Sequence, residues 1–152
     1  KFGTLEECFL KNMESGGGDI NAALSGFVSE LGGSCLRKGF LACPEKGSPC
    51  KRLYLYLRWM IRADEVDPGG WSSISAAKLI VPLDTHMYRL SRKLGLTGRS
   101  QRDMRTAMEI TDSFREISPE DPVKYDFALT RVGIIKDPGM REFENSLEEI
   151  AC

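Results

Sequence analysis

Residues 50–62 read Cys50-Lys51-Arg52-Leu53-Tyr54-Leu55-Tyr56-Leu57-Arg58-Trp59-Met60-Ile61-Arg62, and at helical spacing they are apolar on nearly every side. A helix of that kind has to be buried, so the rest of the chain must supply the elements that surround it. Its apolar run, Leu53 to Ile61, is interrupted by Arg58 and is too short to cross a membrane. The segment therefore predicts a central helix inside a folded domain.

The flanking segments carry helix signals of their own. Thr4-Leu5-Glu6-Glu7 is a capping box, in which a hydroxyl and a carboxylate three residues on each satisfy an orphan amide. It predicts a helix to about Met13, stopped by Gly16-Gly17-Gly18. Asp19 reads as the next N-cap, and Ile20, Ala23, Leu24, Phe27, Val28 and Leu31 recur at three- and four-residue spacing before Gly32-Gly33. Residues 34–49 read as irregular, Asp67-Pro68-Gly69-Gly70 as a turn, and 71–83 as a connector with a short helix near 75–79. Asp84 begins a helix that Gly95 ends. Ser100 to Ile117 is predicted helical, with Met104, Ala107, Met108, Ile110 and Phe114 inward. Pro119 or Pro122 starts a further helix carrying Tyr125, Phe127, Ala128, Leu129 and Val132, and a last acidic helix runs from about Pro138 to the end. No run alternates with period two. The expected fold is all-α, one helical bundle over 1–152. Because Lys1 stands directly before a helix signal, the chain reads as the C-terminal part of a longer one.

With 41% hydrophobic and 28% charged residues, the 152-residue chain suits a folded domain rather than a disordered segment. A net charge of −1 excludes an overall basic protein, but the charge is uneven. Residues 86–105 hold Arg89, Arg92, Lys93, Arg99, Arg102 and Arg105 against Asp103, a net of +5, and helix 50–62 adds Lys51, Arg52, Arg58 and Arg62. Residues 138–152 carry −3. Such a basic face either meets phosphates or is plain solvated helix surface. Five cysteines without a C-x-x-C pair, and the single His86, argue against a zinc finger or a complete iron–sulfur site, so neither metal nor cofactor is expected. The odd cysteine count, without a signal-like segment, points to reduced thiols in the cytoplasm.

Pro82-Leu83-Asp84-Thr85-His86 is the most informative stretch. An aspartate at a helix start is ordinarily a cap that accepts amide hydrogen bonds. With the following Met87-Tyr88-Arg89-Leu90-Ser91-Arg92-Lys93-Leu94-Gly95-Leu96, it resembles the endonuclease III-like DNA glycosylases, where a V/L-D-T/V-H tetrapeptide opens a helix. By that resemblance Asp84 is the catalytic carboxylate, facing a flipped nucleotide and stabilising positive charge on the sugar, while His86 braces the local backbone. A helix N-terminus keeps such a carboxylate ionised. Upstream, Gly47-Ser48-Pro49-Cys50-Lys51-Arg52-Leu53 is similar to that family's glycine-rich hairpin. Gly47 matches its first glycine, and Lys51 the lysine that forms a Schiff base in bifunctional members. Such a hairpin offers backbone N–H groups to a DNA phosphate without sequence preference. A neighbouring cation, here Arg52, promotes loss of the lysine proton.

The resemblance thus implies a helix-hairpin-helix glycosylase with Asp84 and Lys51 as catalytic groups and DNA as partner. It implies phosphate contacts from Gly47, Ser48, Cys50, Arg52, Arg89, Arg92 and Lys93. Two departures stand out. Pro49 replaces the second hairpin glycine and removes a donor. The separation of Lys51 from Asp84 is 33 residues, which implies an insertion around Asp67–Ala77. After the last helix the family holds an iron–sulfur cluster on four cysteines; Cys152 alone cannot. Gly47 to Arg62, Asp64, Val66-Asp67, Pro82 to His86 and Pro119 to Leu129 more closely resemble an uncharacterised bacterial family known as a domain of unknown function, itself a remote likeness of those glycosylases.

Trp59, Trp71, Tyr54 and Tyr56 either stack on an extruded base or fill the core; helical spacing favours the core, and Trp71, after two glycines, is the one expected at the surface. Asp64, Glu65 and Asp67 either hold a cation or are solvated. Three functions follow as alternatives: a DNA base-excision glycosylase with or without lyase activity, a non-catalytic nucleic-acid-binding module using the same hairpin and basic face, or a structural interaction domain.

Overall fold

The structure, a computed structural model, describes residues 2–32 and 47–134 and, singly, Ala42, Pro44, Glu142 and Ser146. Its elements are α1 (Leu5–Ser15), α2 (Ile20–Gly32), α3 (Lys51–Ile61), a 3₁₀ turn (Ala76–Lys78), α4 (Thr85–Lys93), α5 (Met104–Ile117) and α6 (Asp126–Ile134). Among the described residues there is no strand, only an isolated bridge between Ala63 and Pro68. The all-α expectation is met there. Most of the irregular stretch 34–49 and of the acidic helix after Pro138 lies outside the described residues. No helix among the described residues is long and apolar enough to cross a membrane.

Helix starts follow local hydrogen bonding. The Thr4 hydroxyl accepts from the Glu7 amide at 3.1 Å while the Glu7 carboxylate accepts from the Thr4 amide at 3.3 Å, the capping box expected of that sequence. Asp19 accepts from the Asn21 amide at 3.0 Å. Helix α5 begins at Met104, not Ser100, because Asp103 takes the Thr106 amide at 2.9 Å and acts as the cap. Helix α6 begins at Asp126, later than either proline. Asp121 and the prolines on both sides of it are spent on turns, with the Lys124 amide bonded to the Asp121 carbonyl at 3.2 Å.

Helix α3 is buried along one face and not on every side. Leu53, Tyr54, Leu57, Arg58 and Ile61 are buried, whereas Lys51, Arg52 and Trp59 are exposed. Tyr54 is fully buried and its hydroxyl donates to the Asn21 side chain of α2, so it cannot stack on a ligand. The two tryptophans reverse the sequence expectation. Trp71 is buried against Phe9, Phe27 and Tyr56, while Trp59 is 43% exposed. The cause is the end of α3. The Gly69 and Trp71 amides bond back to the carbonyls of Trp59 and Met60 at 3.0 and 2.8 Å, which folds the Gly-Gly turn inward. Gly69 is at φ +72°, and a Cβ there would sit 2.8 Å from that of Ala63, so the turn requires glycine.

Helices α1 and α2 pack at close range through Gly26. A Cβ on Gly26 would lie 2.1 Å from Asn12 Oδ1, and Asn12 is fixed by its own bond to the Cys8 carbonyl at 2.8 Å. Gly26→Ala is therefore expected to destabilise the protein by about 1–2 kcal/mol in chemical denaturation, the crowding cost outweighing a helix-propensity gain of roughly 0.5–1 kcal/mol. In an Asn12→Ala background the same substitution should become neutral or stabilising. Equal effects in both backgrounds would exclude this steric account.

Candidate functional site

Lys51 is the first residue of α3, and Asp84 is the N-cap of α4. The chain brings them together: Lys51 Nζ donates to Asp84 Oδ2 at 3.0 Å. The other carboxylate oxygen, Oδ1, accepts from the Met87 amide at 2.7 Å. Asp84 is thus both a helix cap and an ion-pair partner, with only 13% of its side chain exposed, against 46% for Lys51. Burial works against its charged form, but the Met87 amide, the Lys51 ammonium and His86 outweigh burial and hold its carboxyl below the usual aspartate value.

The pair stands in a groove of about 280 Å³ that also takes Leu55, Arg58 and Trp59 from α3 and Asp126, Phe127, Thr130 and Arg131 from α6. Lys51, Leu55 and Arg58 fall at i, i+4 and i+7, one stripe of α3. Trp59 and Phe127 line the groove while remaining 43% and 40% exposed, which leaves two aromatic rings at its rim. The lining is mixed in sign, with Lys51, Arg58 and Arg131 alongside Asp84 and Asp126.

Beneath the groove lies a buried charge network. Arg58 clamps Asp67 through two bonds, Nε to Oδ2 and Nη2 to Oδ1, both 3.0 Å, and its Nη1 donates to Asp126 Oδ2. Arg62 joins the same cluster through Asp67, through Asp64 at 2.7 Å and through Asp121 at 2.8 Å. Arg58, Asp67 and Asp126 are at most 5% exposed. Two expectations change here. Arg58 and Arg62 do not add to a basic surface, because they are buried and neutralised. Asp64 and Asp67 are neither a cation site nor plain solvated acids, because they serve these arginines. Among the described residues no group of three or more His, Cys, Asp or Glu could hold a metal ion.

The residues of the expected hairpin behave unevenly. Gly47, at φ +74°, and Cys50, at φ +42°, are both left-handed and turn the chain sharply into α3. The Gly47 amide bonds to the Pro44 carbonyl at 2.9 Å, and its carbonyl accepts from the Met104 amide at 3.1 Å. The Cys50 amide points to Ser48 Oγ at 3.4 Å, and the Cys50 side chain is buried. The Gly47 and Cys50 amides are thus both engaged in local bonds within the turn. Ser48 is half-buried and Arg52 exposed.

On α4, Met87, Leu90 and Ser91 are buried, which turns Arg89, Arg92 and Lys93 to the opposite face with Thr85. Arg92 also bonds the Arg99 carbonyl at 3.2 Å, and Arg102 reaches Thr85 Oγ1 at 2.6 Å, beside the mouth of the groove. Arg99 is paired with Asp103 at 2.9 Å. His86 is half-buried at the second position of α4 and adds to the field on Asp84.

Asp126 is the groove residue that sequence reasoning missed as a site member. It lies within Pro119 to Leu129, a segment that resembles the family, but inside a helix expected from Pro119 or Pro122 nothing marks this acid out. Burial and the nearby Asp84 charge push its carboxyl above the ordinary value; Arg58 and Thr130 pull the other way and do not overcome them.

No curated protein and no solved structure matches this chain. One family does, described as Protein of unknown function (DUF2400), over residues 1–135, and the chain belongs to that family.

Proposed function

We propose that the groove acts on an N-glycosidic bond in DNA, in the manner of a helix-hairpin-helix base-excision glycosylase, with a lyase step available through Lys51. The observation that carries this reading is the 3.0 Å contact between Lys51 Nζ and Asp84 Oδ2 inside one groove. A carboxylate kept ionised at a helix N-terminus stabilises positive charge developing on a sugar carbon, and it does so without reorganising. An amine at the same spot adds to the same carbon. To become a nucleophile Lys51 has to lose a proton, and Asp84 is the base within reach. The exposed rings of Trp59 and Phe127 suit the π-face of an extruded base, each such stack being worth roughly 1–3 kcal/mol. Arg52, Arg89, Arg92 and Arg102 provide backbone contacts.

The lyase step is tested by mixing the full chain with DNA holding an abasic site and adding borohydride. An adduct that maps to Lys51 and is absent from Lys51→Ala is expected. Adduct formation that persists in Lys51→Ala removes the role. A non-catalytic nucleic-acid module is the second reading, favoured by the exposed Arg52 and Arg89. It requires binding that weakens steeply with salt and no chemistry at all.

A further inference from the structure

We infer that Asp126 is the second catalytic group of this groove, the acid that protonates the leaving nitrogen of an N-glycoside whose sugar carbon faces Asp84. The inference rests on the glycosidase reading above.

Three observations point to it. Asp126 lines the same groove as Asp84, from the first turn of α6 rather than the head of α4, so the two carboxyls approach a bound nucleotide from different helices. Asp126 is fixed in place, its Oδ2 taking Arg58 Nη1 and its Oδ1 the Thr130 hydroxyl at 3.3 Å. Arg58 does not need Asp126 for neutrality: Asp67 holds its other two nitrogens, and Arg62, which also touches Asp67, has Asp64 and Asp121 besides. A buried acid beside a second carboxylate, under an arginine already shared, is arranged to hold a proton.

The charged groups around Asp126 are Arg58, which bonds it and shares Asp67, together with Lys51 from α3, Asp84 from the head of α4 and Arg131 of its own helix, which line the same groove. Desolvation and Asp84 raise its carboxyl, while Lys51 and the Met87 amide lower that of Asp84. Two carboxyls whose environments push them apart divide into proton donor and charged stabiliser. In the reaction the C1′–N bond breaks, and its electron pair goes to the base nitrogen, which takes the Asp126 proton. A solvent water forms the new C1′–O bond and gives its proton to Asp84. Exchange with solvent then returns one proton from Asp84 to Asp126, leaving free base and an abasic sugar.

The test uses leaving groups that differ in their need for a proton. The full chain is given duplex DNA with hypoxanthine, which is neutral, or 7-methylguanine, which already carries positive charge. Asp126→Asn is expected to slow hypoxanthine release by about 10²–10⁴-fold and 7-methylguanine release by less than about tenfold. It is also expected to remove the alkaline limb of the hypoxanthine pH–rate profile, whereas Asp84→Asn slows both substrates. Equal losses on both substrates in Asp126→Asn overturn the acid role while leaving the glycosidase reading intact. If the wild-type chain releases neither these bases nor any from a wider panel of duplexes with damaged bases, that reading falls and this role with it. Independently of turnover and of whether Asp126→Asn folds, a ¹³C titration of the wild-type carboxyls should show Asp126 titrating at higher pH than Asp84; the reverse order overturns the inference.

Discussion

Replacing Arg58 with alanine is expected to lower stability by about 3–5 kcal/mol. That is a large part of the roughly 5–15 kcal/mol that holds a domain folded. Melting should fall by about 10 °C or more. Arg58 stands at the centre of the buried network, bonding Asp67 twice and Asp126 once. Its loss leaves Asp67 and Asp126 buried without the guanidinium they share, and of these two Arg62 reaches only Asp67. The pH dependence carries a sign. Asp126 already has its carboxyl raised, and removing Arg58 raises it further. A group whose folded-state value lies above its unfolded value adds stability at low pH and loses it as pH rises through the folded value. The Arg58→Ala defect should therefore be largest near neutrality and shrink as pH falls toward about 4, where unfolded aspartate takes up its proton. A melting temperature within about 2 °C of wild type at neutral pH would show that the network is not what holds α3 to α6.

Asp84→Asn should act in the opposite manner, slowing base release by about 10²–10⁴-fold with little change in stability. Asparagine caps a helix as well as aspartate does, so the Met87 amide at 2.7 Å keeps its acceptor. The lost ion pair is partly exposed on the Lys51 side, which limits it to about 1 kcal/mol or less. Asp84 has a lowered carboxyl, so its stabilising contribution is present above the unfolded value and disappears as pH falls through the lower folded value. The variant should accordingly lose less stability than wild type on acidification below about pH 4. DNA affinity should stay within a few-fold, since a negative charge is removed and no cation is lost. A variant that melts far below wild type would mean that the Asp84 charge is structural.

Much of this was legible in the chain, and the exceptions have physical causes. Thr4, Asp19 and Asp84 announced helix starts because a cap is a local bond, readable within four residues. The pairing of Lys51 with Asp84 was reached through motif resemblance, since no periodicity links residues 33 apart. Arg58 and Arg62 were misread as surface cations because their partners Asp67, Asp121 and Asp126 come from two later segments. Burial of an arginine is decided by such distant acids and not by its own helix. Trp59 and Trp71 exchanged places for a similar reason: the amide bonds that close α3 pull Trp71 under the helix and leave Trp59 outside. Asp126 stayed hidden because nothing local distinguishes a buried acid from an exposed one on the same helix.

The proposed role of Asp84 in this groove is to drive cleavage of an N-glycosidic bond in DNA. Its most direct test is single-turnover release of free base from a panel of duplexes with damaged bases, comparing the full chain with folded Asp84→Asn and measuring DNA binding in parallel. Base released by the wild-type chain, largely lost in Asp84→Asn with binding retained, is the expected result. DNA bound equally by both proteins with no base released by either would contradict the account and leave a nucleic-acid-binding module.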